Sequence, residues 1–504
     1  MKHTIARHLR NTVLVGATAL SGVLGATIMA YAQETITVVN ASDAQPSNVM
    51  PGRAGNFPWI RNVFETVFDL DPVTYEPVPV LASDWTVSDD GLTMTLTLHD
   101  DVTFHTGRAL TTDDIRYTIE VARNPETAHQ LGFIAEQIEE IEILSDTEMV
   151  LHFSRPLSNI YEFFARTVVV DQETYDQRSD GSQVIGTGPY TFAEWSPGAR
   201  IRLERYEDYR DPEAAAIESV DIAIINDPTA TISALRSNRA QVAMQVSPND
   251  GLEFSNSPMF NVVPTGGAQI PLGLNVEMPP FDNKLVRQAI GYAIDRERIN
   301  QQVHDGLGTP TALFWAPGSP GYNETLANHY SYNPDRAREL LAEAGVENPA
   351  ITIALHALPG QRAVFEIVQN NLRDVGFDVQ ADIVDTPTFG QRQIAGELGP
   401  AFIQLQGMVG LSVPTLISSV PGIRQDNPSH FWTEEYAALR EDVENAVGTD
   451  ELAAAVEALS EYMIDEAFNL VLVQSPSLYV TSTDVEGVTF ASTGALVLID
   501  AEFN

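Results

Sequence analysis

The sequence predicts an α/β fold, and three observations lead to that prediction. Apolar residues recur at helical spacing in several segments, alternate with polar residues in others, and the two kinds of segment follow one another along the chain. The chain has 504 residues, of which 44% are hydrophobic. This is more than one ordinary core holds, so we expect two or three compact units.

The N-terminal half contains several local structure signals. Residues 36–39 predict the first strand, and residues 62–68 form a short amphipathic segment. Residues 88–91 (Ser-Asp-Asp-Gly) predict a hairpin turn, and in residues 93–98 threonines alternate with apolar residues, as in a strand with one buried face. Thr111 and Asp114 have the spacing of a capping box, which predicts the start of a helix.

The C-terminal half contains three predicted helices. One starts at about Leu285. Another begins after Asn333, a good N-cap, with Pro334 at its first position, and ends before Gly345. A third ends at Gly376 and is followed by a strand-like segment. Helices that alternate with short strands favour the α/β class.

The first 32 residues have the pattern of a secretory signal peptide. Positive residues come first, residues 11–29 are mostly small and apolar, and Ala30-Tyr31-Ala32 offers a cleavage site before Gln33. The apolar run is short and rich in Gly, Ser and Thr, which favours a cleaved signal over a membrane anchor. We therefore expect an exported protein without a direct membrane anchor.

Composition excludes several classes of function. Cysteine is absent, which excludes disulfides, thiolate catalysis and iron–sulfur clusters, and also a lipid anchor on an N-terminal cysteine. The formal net charge of −41 repels nucleic acids and anionic lipids, so neither is an expected partner. The acidic residues are interspersed with apolar ones, which indicates a folded protein with an acidic surface suited to salty, halophilic surroundings.

Motifs for enzymatic chemistry are lacking. The sequence has no G-x-S-x-G elbow, no H-E-x-x-H, no phosphate-binding G-x-x-x-x-G-K and no dinucleotide-binding glycine pattern. His105 lies where a turn is expected and is interpreted as structural. His430 lies in a loop beside two aromatic residues and is a possible ligand contact. We expect no catalytic residue, no cofactor and no enzyme activity.

Taken in order, several segments resemble the extracellular solute-binding proteins of family 5, the peptide- and nickel-binding group. The segments that carry the resemblance are 79–85, 98–107, 110–115, 186–190, 274–275, 286–296, 333–345 and 366–376. The resemblance extends over essentially the whole chain after the predicted signal peptide.

The resemblance implies a two-lobed periplasmic binding protein clamp, of type II and similar to cluster C, with an additional subdomain in lobe I. Ligand would be buried when the lobes close. After the signal peptide (1–32), the implied parts are a discontinuous lobe I (33–58, 180–268 and 476–504), the extra subdomain (59–179) and lobe II (269–475). Without a lipid anchor, the protein suits the periplasm of a Gram-negative bacterium. It is expected to act as a monomer and to deliver ligand to an ABC permease in the inner membrane, which a separate ATPase drives.

The resemblance also suggests a set of ligand-binding residues: Gln45, Ser47, His129, Gln130, Arg166, Arg362, Phe389, Gln406, Met408 and His430. A guanidinium suits a carboxylate, which makes Arg166 and Arg362 candidate anchors, although each has acidic neighbours with which it could pair instead. The segment 406–414 lacks the acidic and aromatic residues by which peptide-binding members hold a peptide amine.

Three ligand classes stay open at this point. A short peptide or a carboxylate-bearing small molecule is the leading hypothesis. The alternative is a nickel chelate held by His430, the one candidate metal ligand, with Arg166 beside it, because histidine suits nickel. An oligosaccharide or an opine is less favoured.

Overall fold

The computed structural model describes residues 35–50, 52–71, 74, 76–127, 129–407 and 410–504. The predicted signal peptide lies outside the described residues. The strands are β1 (Thr35–Asn40), β2 (Phe68–Leu70), β3 (Pro77–Pro79), β4 (Ala82–Val87), β5 (Thr93–Leu98), β6 (Ile138–Ile143), β7 (Glu148–Phe153), β8 (Tyr190–Ser196), β9 (Arg200–Arg205), β10 (Ser219–Ile224), β11 (Val242–Val246), β12 (Phe260–Leu274), β13 (Thr309–Pro310), β14 (Ala350–His356), β15 (Asp378–Val384), β16 (Ala401–Ile403), β17 (Asn469–Ser482), β18 (Val485–Glu486), β19 (Thr489–Phe490), β20 (Leu496–Val497) and β21 (Glu502–Phe503).

Helices alternate with these strands. The α-helices are α1 (Ile60–Val63), α2 (Thr112–Arg123), α3 (Gly132–Ala135), α4 (Ile160–Arg166), α5 (Pro228–Arg236), α6 (Pro248–Ser255), α7 (Lys284–Ala293), α8 (Arg296–Val303), α9 (Glu324–Ala327), α10 (Pro334–Glu343), α11 (Pro359–Asp374), α12 (Thr386–Ala395), α13 (Val413–Ser419), α14 (Glu434–Asn445) and α15 (Thr449–Glu466). Short 3₁₀ helices occur at Pro125–Thr127 and Tyr175–Asp180.

A large mixed sheet forms the centre of the fold. Its strand order is β15-β14-β16-β12-β17-β11-β1-β10-β9-β8, and β13 also pairs with β17. The strands β12 and β17 pair antiparallel from Phe260 opposite Ser482 to Gly273 opposite Asn469. These two long strands connect the half of the sheet that contains β14–β16 to the half that contains β1 and β8–β11. The predicted α/β class is confirmed.

Apolar side chains collect in three major cores. One lies around the β1 half of the sheet and is formed by buried residues within the ranges 36–64, 168–244 and 479–501. The second lies around the β14 half, between residues 270 and 473. The third lies between residues 67 and 169, against a separate four-stranded sheet of order β4-β5-β7-β6. We call the units around these cores lobe I, lobe II and the small subdomain. The fold is therefore two-lobed with an added subdomain, while the residue bounds given above for each part stay a prediction.

Most of the predicted local signals are present in the structure. Gly91 has φ of +69° in the turn between β4 and β5. Thr111 and Asp114 form both bonds of the capping box at the start of α2. The Asn333 side chain accepts the N–H of Arg336 and caps α10, whose first residue is Pro334. These signals depend on neighbours in the sequence, so the sequence predicts them well.

His105 joins two of the motif segments. Its Nδ1 accepts the N–H of Gly186 at 3.3 Å, and its Nε2 lies 2.9 Å from the Gly188 carbonyl oxygen, to which it donates. A Cβ on Gly186 would lie 2.0 Å from the Val63 carbonyl oxygen, so the close packing requires glycine. Burial lowers the pKa of His105 to about 4, against the opposing effect of the bond to Gly188. The histidine is therefore a neutral structural residue, as the sequence predicts.

The low pKa of His105 leads to a prediction about stability and pH. Between its ordinary pKa of 6.5 and its folded pKa of about 4, the unfolded chain binds a proton that the folded protein does not. The contribution of neutral His105 to the free energy of unfolding is complete above pH 6.5 and is lost as the pH falls toward 4. We expect the free energy of unfolding in urea to fall less between pH 7.5 and pH 4.5 in His105→Gln, whose amide can keep both bonds. His99→Gln, at an exposed position, is the control and should behave as wild type. An unchanged pH dependence in His105→Gln would contradict the prediction.

Within the described ranges, no helix is long and apolar enough to cross a membrane.

Candidate functional site

The long central strands are irregular in the middle of the sheet. The pairing of β12 with β17 shifts between Thr265 and Ala268. Gly266 and Gly267 have φ of +45° and +121°. A Cβ on Gly267 would lie 2.1 Å from the Ser475 carbonyl oxygen, so only glycine allows the two strands to approach this closely. This bulge interrupts the regular pairing of the two strands at the boundary between the lobes.

A cavity of about 270 Å³ lies against this bulge, where lobe I, the small subdomain and the loop after β16 meet. Its glycines are Gly52, Gly266, Gly267, Gly407 and Gly494. Its neutral polar residues are Gln130, Gln245, Thr265, Ser477, Ser492 and Thr493. Its apolar and aromatic residues are Met50, Ala54, Phe57, Leu131 and Tyr479. His129 and Arg166 complete the lining, and none of these described residues is acidic. The cavity suits a small polar ligand with some apolar surface.

Arg166 is the cationic residue of the cavity, and α4 positions it. Phe163 and Phe164 on this helix are buried in the core of the small subdomain, which fixes the helix. Arg166 is in its last turn, half-buried, with Nη2 3.4 Å from the Ser492 carbonyl oxygen. A guanidinium has five N–H donors, so it can bind a carboxylate while it keeps a contact with the protein.

His129 is a neutral part of the cavity wall. Its Nδ1 accepts the N–H of Leu131 at 3.0 Å, and its Nε2 lies 3.1 Å from Thr167 Oγ1. The Thr167 hydroxyl donates to the Phe163 carbonyl oxygen, so it accepts the Nε2–H of His129. Burial lowers the pKa of His129 to about 4. His129 therefore adds no positive charge to the cavity at pH 7.

Three of the predicted ligand-binding residues, His129, Gln130 and Arg166, line the cavity. Gln45 and Ser47 are exposed and lie a few residues before the lining residue Met50 in the chain, but they do not line the cavity themselves. Met408 lies outside the described residues, next to Gly407, which does line the cavity. The structure contains no ligand, so the binding role of each of these residues stays a prediction.

The other predicted residues lie elsewhere in lobe II. Arg362 is exposed near the start of α11. Phe389 is 1% exposed, and its ring stacks on His356 with centroids 3.9 Å apart. Gln406 is buried, and its backbone pairs with Gln269 of β12. In this structure, none of the three lines the cavity.

The side chain of His430 contacts two other residues of lobe II. Its Nε2 lies 3.0 Å from the Gly396 carbonyl oxygen, and its Nδ1 lies 3.5 Å from Glu277 Oε2. It is not among the residues that line the cavity. No group of three or more His, Asp or Glu side chains placed to hold a metal ion occurs among the residues that the structure describes. His430 and Glu277 are thus two neighbouring side chains of types that can ligate a metal.

Several cavity residues were not predicted from the sequence. Gln245, Thr265, Tyr479 and Ser492 come from three strands and a loop that are far apart in the chain. Burial raises the pKa of Tyr479, so its hydroxyl stays protonated and can donate to a ligand. The Gly266-Gly267 pair inside a strand is the one local signal that could have located the bulge.

The other end of α4 contacts lobe II directly. The Glu162 side chain is 3% exposed, and its two carboxylate oxygens accept the Ser412 N–H at 2.9 Å and the Ser412 hydroxyl at 2.6 Å. Asn159 donates to Thr415 Oγ1 at 3.2 Å. These contacts lie beside a mostly apolar groove of about 640 Å³ between the small subdomain and lobe II, and no arginine is among the described residues that line it. A single short helix thus links the cavity arginine to a contact between the small subdomain and lobe II.

These features define a class of protein: two lobes joined by long central strands, with a small polar cavity against the bulge in those strands, form the clamp of a solute-binding protein. The chain belongs to the bacterial extracellular solute-binding proteins, family 5, because residues 76–417 match the middle region of that family.

The chain is similar to proteins that are named for, or solved with, different solutes. The glutathione-binding protein GsiB of Pectobacterium atrosepticum is 28% identical over 346 residues, which cover 66% of this chain and 65% of GsiB, just under two thirds of its length. The dipeptide binding protein of Pseudoalteromonas sp. SM9913, solved with Met-Leu, has a TM-score of 0.74 and 23% identity, and the match covers 93% of this chain and all of that one. NikZ of Campylobacter jejuni, solved with Ni(L-His), has a TM-score of 0.73 and 19% identity over 92% of this chain and 97% of that one.

Proposed function

We propose that the protein binds a short peptide or a carboxylate-bearing small molecule between its lobes and delivers it to an ABC permease. The observation that carries the proposal is the cavity at the central bulge, with Arg166 as its cationic lining residue. A guanidinium in a partly buried cavity is well suited to bind a carboxylate. The relatives named above for glutathione and for Met-Leu support a small peptide-like ligand.

The proposal also includes the place of action. The predicted signal peptide and the lack of cysteine support export, without a lipid anchor, into the periplasm of a Gram-negative bacterium. There the protein acts as a monomer with an inner-membrane permease and a separate ATPase. N-terminal sequencing of the mature protein tests export, and a first residue of Gln33 is the expected result.

Native mass spectrometry of protein purified from its own source, without refolding, tests the proposed class of ligand. The expected result is an extra mass that is released on denaturation and identified as a peptide or an organic acid. A nickel-containing adduct that His430→Ala abolishes would overturn the proposal in favour of the metal chelate. A co-purifying neutral sugar would also overturn it.

The contact between Glu162 and Ser412 leads to a prediction about ligand release. In a clamp that buries its ligand, contacts between the lobes stabilise the closed form. Hydrogen bonds to a charged group contribute about 1.5 to 3 kcal/mol, so we expect Ser412→Ala to speed ligand dissociation by about 10-fold or more. Stopped-flow fluorescence measures the rate. Ser418→Ala, which removes a serine–glutamate bond within lobe II, is the matched control. Equal dissociation rates in the two variants would show that the contact does not hold the lobes together.

A further inference from the structure

A second, smaller cavity of about 40 Å³ adjoins the ligand cavity. The residues that line both cavities are Met50, Gly52, Phe57, Arg166 and Thr493. The smaller cavity is also lined by Arg53 and Arg61, so three arginines surround one small volume. A ligand carboxylate bound at Arg166 would therefore lie close to further positive charge.

The three arginines differ in their surroundings. Arg61 is 8% exposed and pairs with Asp69 at 3.0 Å, which balances its charge. Its Nη1 also donates to the Ala165 carbonyl oxygen at 3.2 Å. Arg53 is exposed, and among the described residues it forms no ion pair. Arg53 can therefore turn toward an anion in the smaller cavity.

Acidic residues are missing from the lining of both cavities, as far as the described residues go. The formal net charge of the chain is −41, whereas the described lining of these cavities contains arginines and no acidic residue. A ligand ammonium that left water here would find arginines and no carboxylate, which is strongly unfavourable. A ligand with two anionic groups would find Arg166, which lines both cavities, and the exposed Arg53, which lines the smaller one.

We infer that the ligand is a small dianion without a free amine, such as an N-blocked acidic dipeptide or a related dicarboxylate. One anionic group binds Arg166 and the second lies near Arg53. The inference rests on the proposed function and narrows its ligand class. A protein with such a ligand differs from a binding protein that holds an ordinary dipeptide by the free amine of the peptide.

Four matched compounds test the inference by isothermal titration calorimetry: Ala-Gln, Ala-Glu, N-acetyl-Ala-Gln and N-acetyl-Ala-Glu. Acetylation removes the amine, and glutamate in place of glutamine adds an anionic group. The expected result is that N-acetyl-Ala-Glu, the dianion, binds at least about 10-fold more tightly than any of the others. Any free-amine compound that binds as tightly as its acetylated partner would overturn the inference, and so would a lack of binding by all four.

Arg53→Gln tests the second anionic position separately. We expect Arg53→Gln to weaken the binding of N-acetyl-Ala-Glu by about 5-fold and to leave the affinity for N-acetyl-Ala-Gln unchanged, because an exposed arginine contributes modestly to binding. Arg336→Gln, at an exposed position on α10, is the control and should change neither affinity. Equal weakening of both compounds by Arg53→Gln would overturn the assignment of this position.

The two proposals fail in different ways. A co-purifying peptide with a free amine would leave the proposed function intact and overturn the inference that the ligand is a dianion without a free amine. If the released ligand carries no carboxylate at all, both are overturned.

Discussion

Replacing Arg210 with methionine is expected to lower the free energy of unfolding by about 3 to 5 kcal/mol. Arg210 donates two hydrogen bonds to the Glu65 carboxylate, at 2.7 and 2.8 Å, and the Tyr209 hydroxyl donates a third at 3.0 Å. Glu65 is 5% exposed. Without the guanidinium, its carboxylate would stay buried next to a single neutral donor, and a buried charge without its partner is costly. Urea denaturation followed by circular dichroism measures the change.

Arg205→Met is the matched control for this prediction. Arg205 pairs with Glu207 at 3.1 Å, but the Glu207 side chain is 76% exposed. Surface ion pairs contribute about 0 to 1 kcal/mol, so the control should change stability little. The double variant Arg210→Met with Glu65→Met should recover much of the loss, since it removes the stranded charge. If Arg210→Met cost no more than Arg205→Met, the buried pair would not be a main contributor to the junction of lobe I and the small subdomain.

Replacing Arg166 with glutamine is expected to weaken ligand binding by about 2 to 4 kcal/mol, or roughly 30- to 900-fold. The side chain lies in the last turn of α4 and lines both cavities. Glutamine keeps hydrogen-bonding ability but loses the charge and the fork of donors that match a carboxylate. Calorimetry with N-acetyl-Ala-Glu measures the affinity of the variant.

The control for Arg166→Gln is Arg338→Gln, which breaks an exposed pair within α10 and should leave the affinity unchanged. The thermal unfolding midpoint of both variants shows whether the fold is intact. An Arg166→Gln protein that is folded and binds with wild-type affinity would mean that the carboxylate is held elsewhere. The exposed Arg362 of lobe II would then be the next residue to test.

The fold could be predicted to a large extent from the sequence. The hairpin at Gly91, the capping box at Thr111 and the cap at Asn333 are formed by residues close together in the chain. The ordered motifs predicted the family, which the comparison confirms. The structure confirms His105 as a structural residue of the predicted turn, but its partners Gly186 and Gly188 are too distant in the chain to be predicted from local sequence.

The candidate site was harder to predict. His129, Gln130 and Arg166 were proposed from the resemblance, and the structure places all three at one cavity. Phe389 was proposed in the same way, but the structure buries it against His356. Tyr479 is separated from Arg166 by more than 300 residues, so no pattern in the sequence could indicate that both line the same cavity.

The sequence by itself determined the class of fold, the local ends of helices and turns, and the excess of acidic charge, because these depend on composition and on near neighbours. The tertiary structure alone decided which side chains meet. Two long strands and one short helix bring residues from three distant parts of the chain together, and they leave a cavity with arginines and no acidic lining residue among those described. Burial and local charge depend on that packing, and they determine which ligand the cavity can hold.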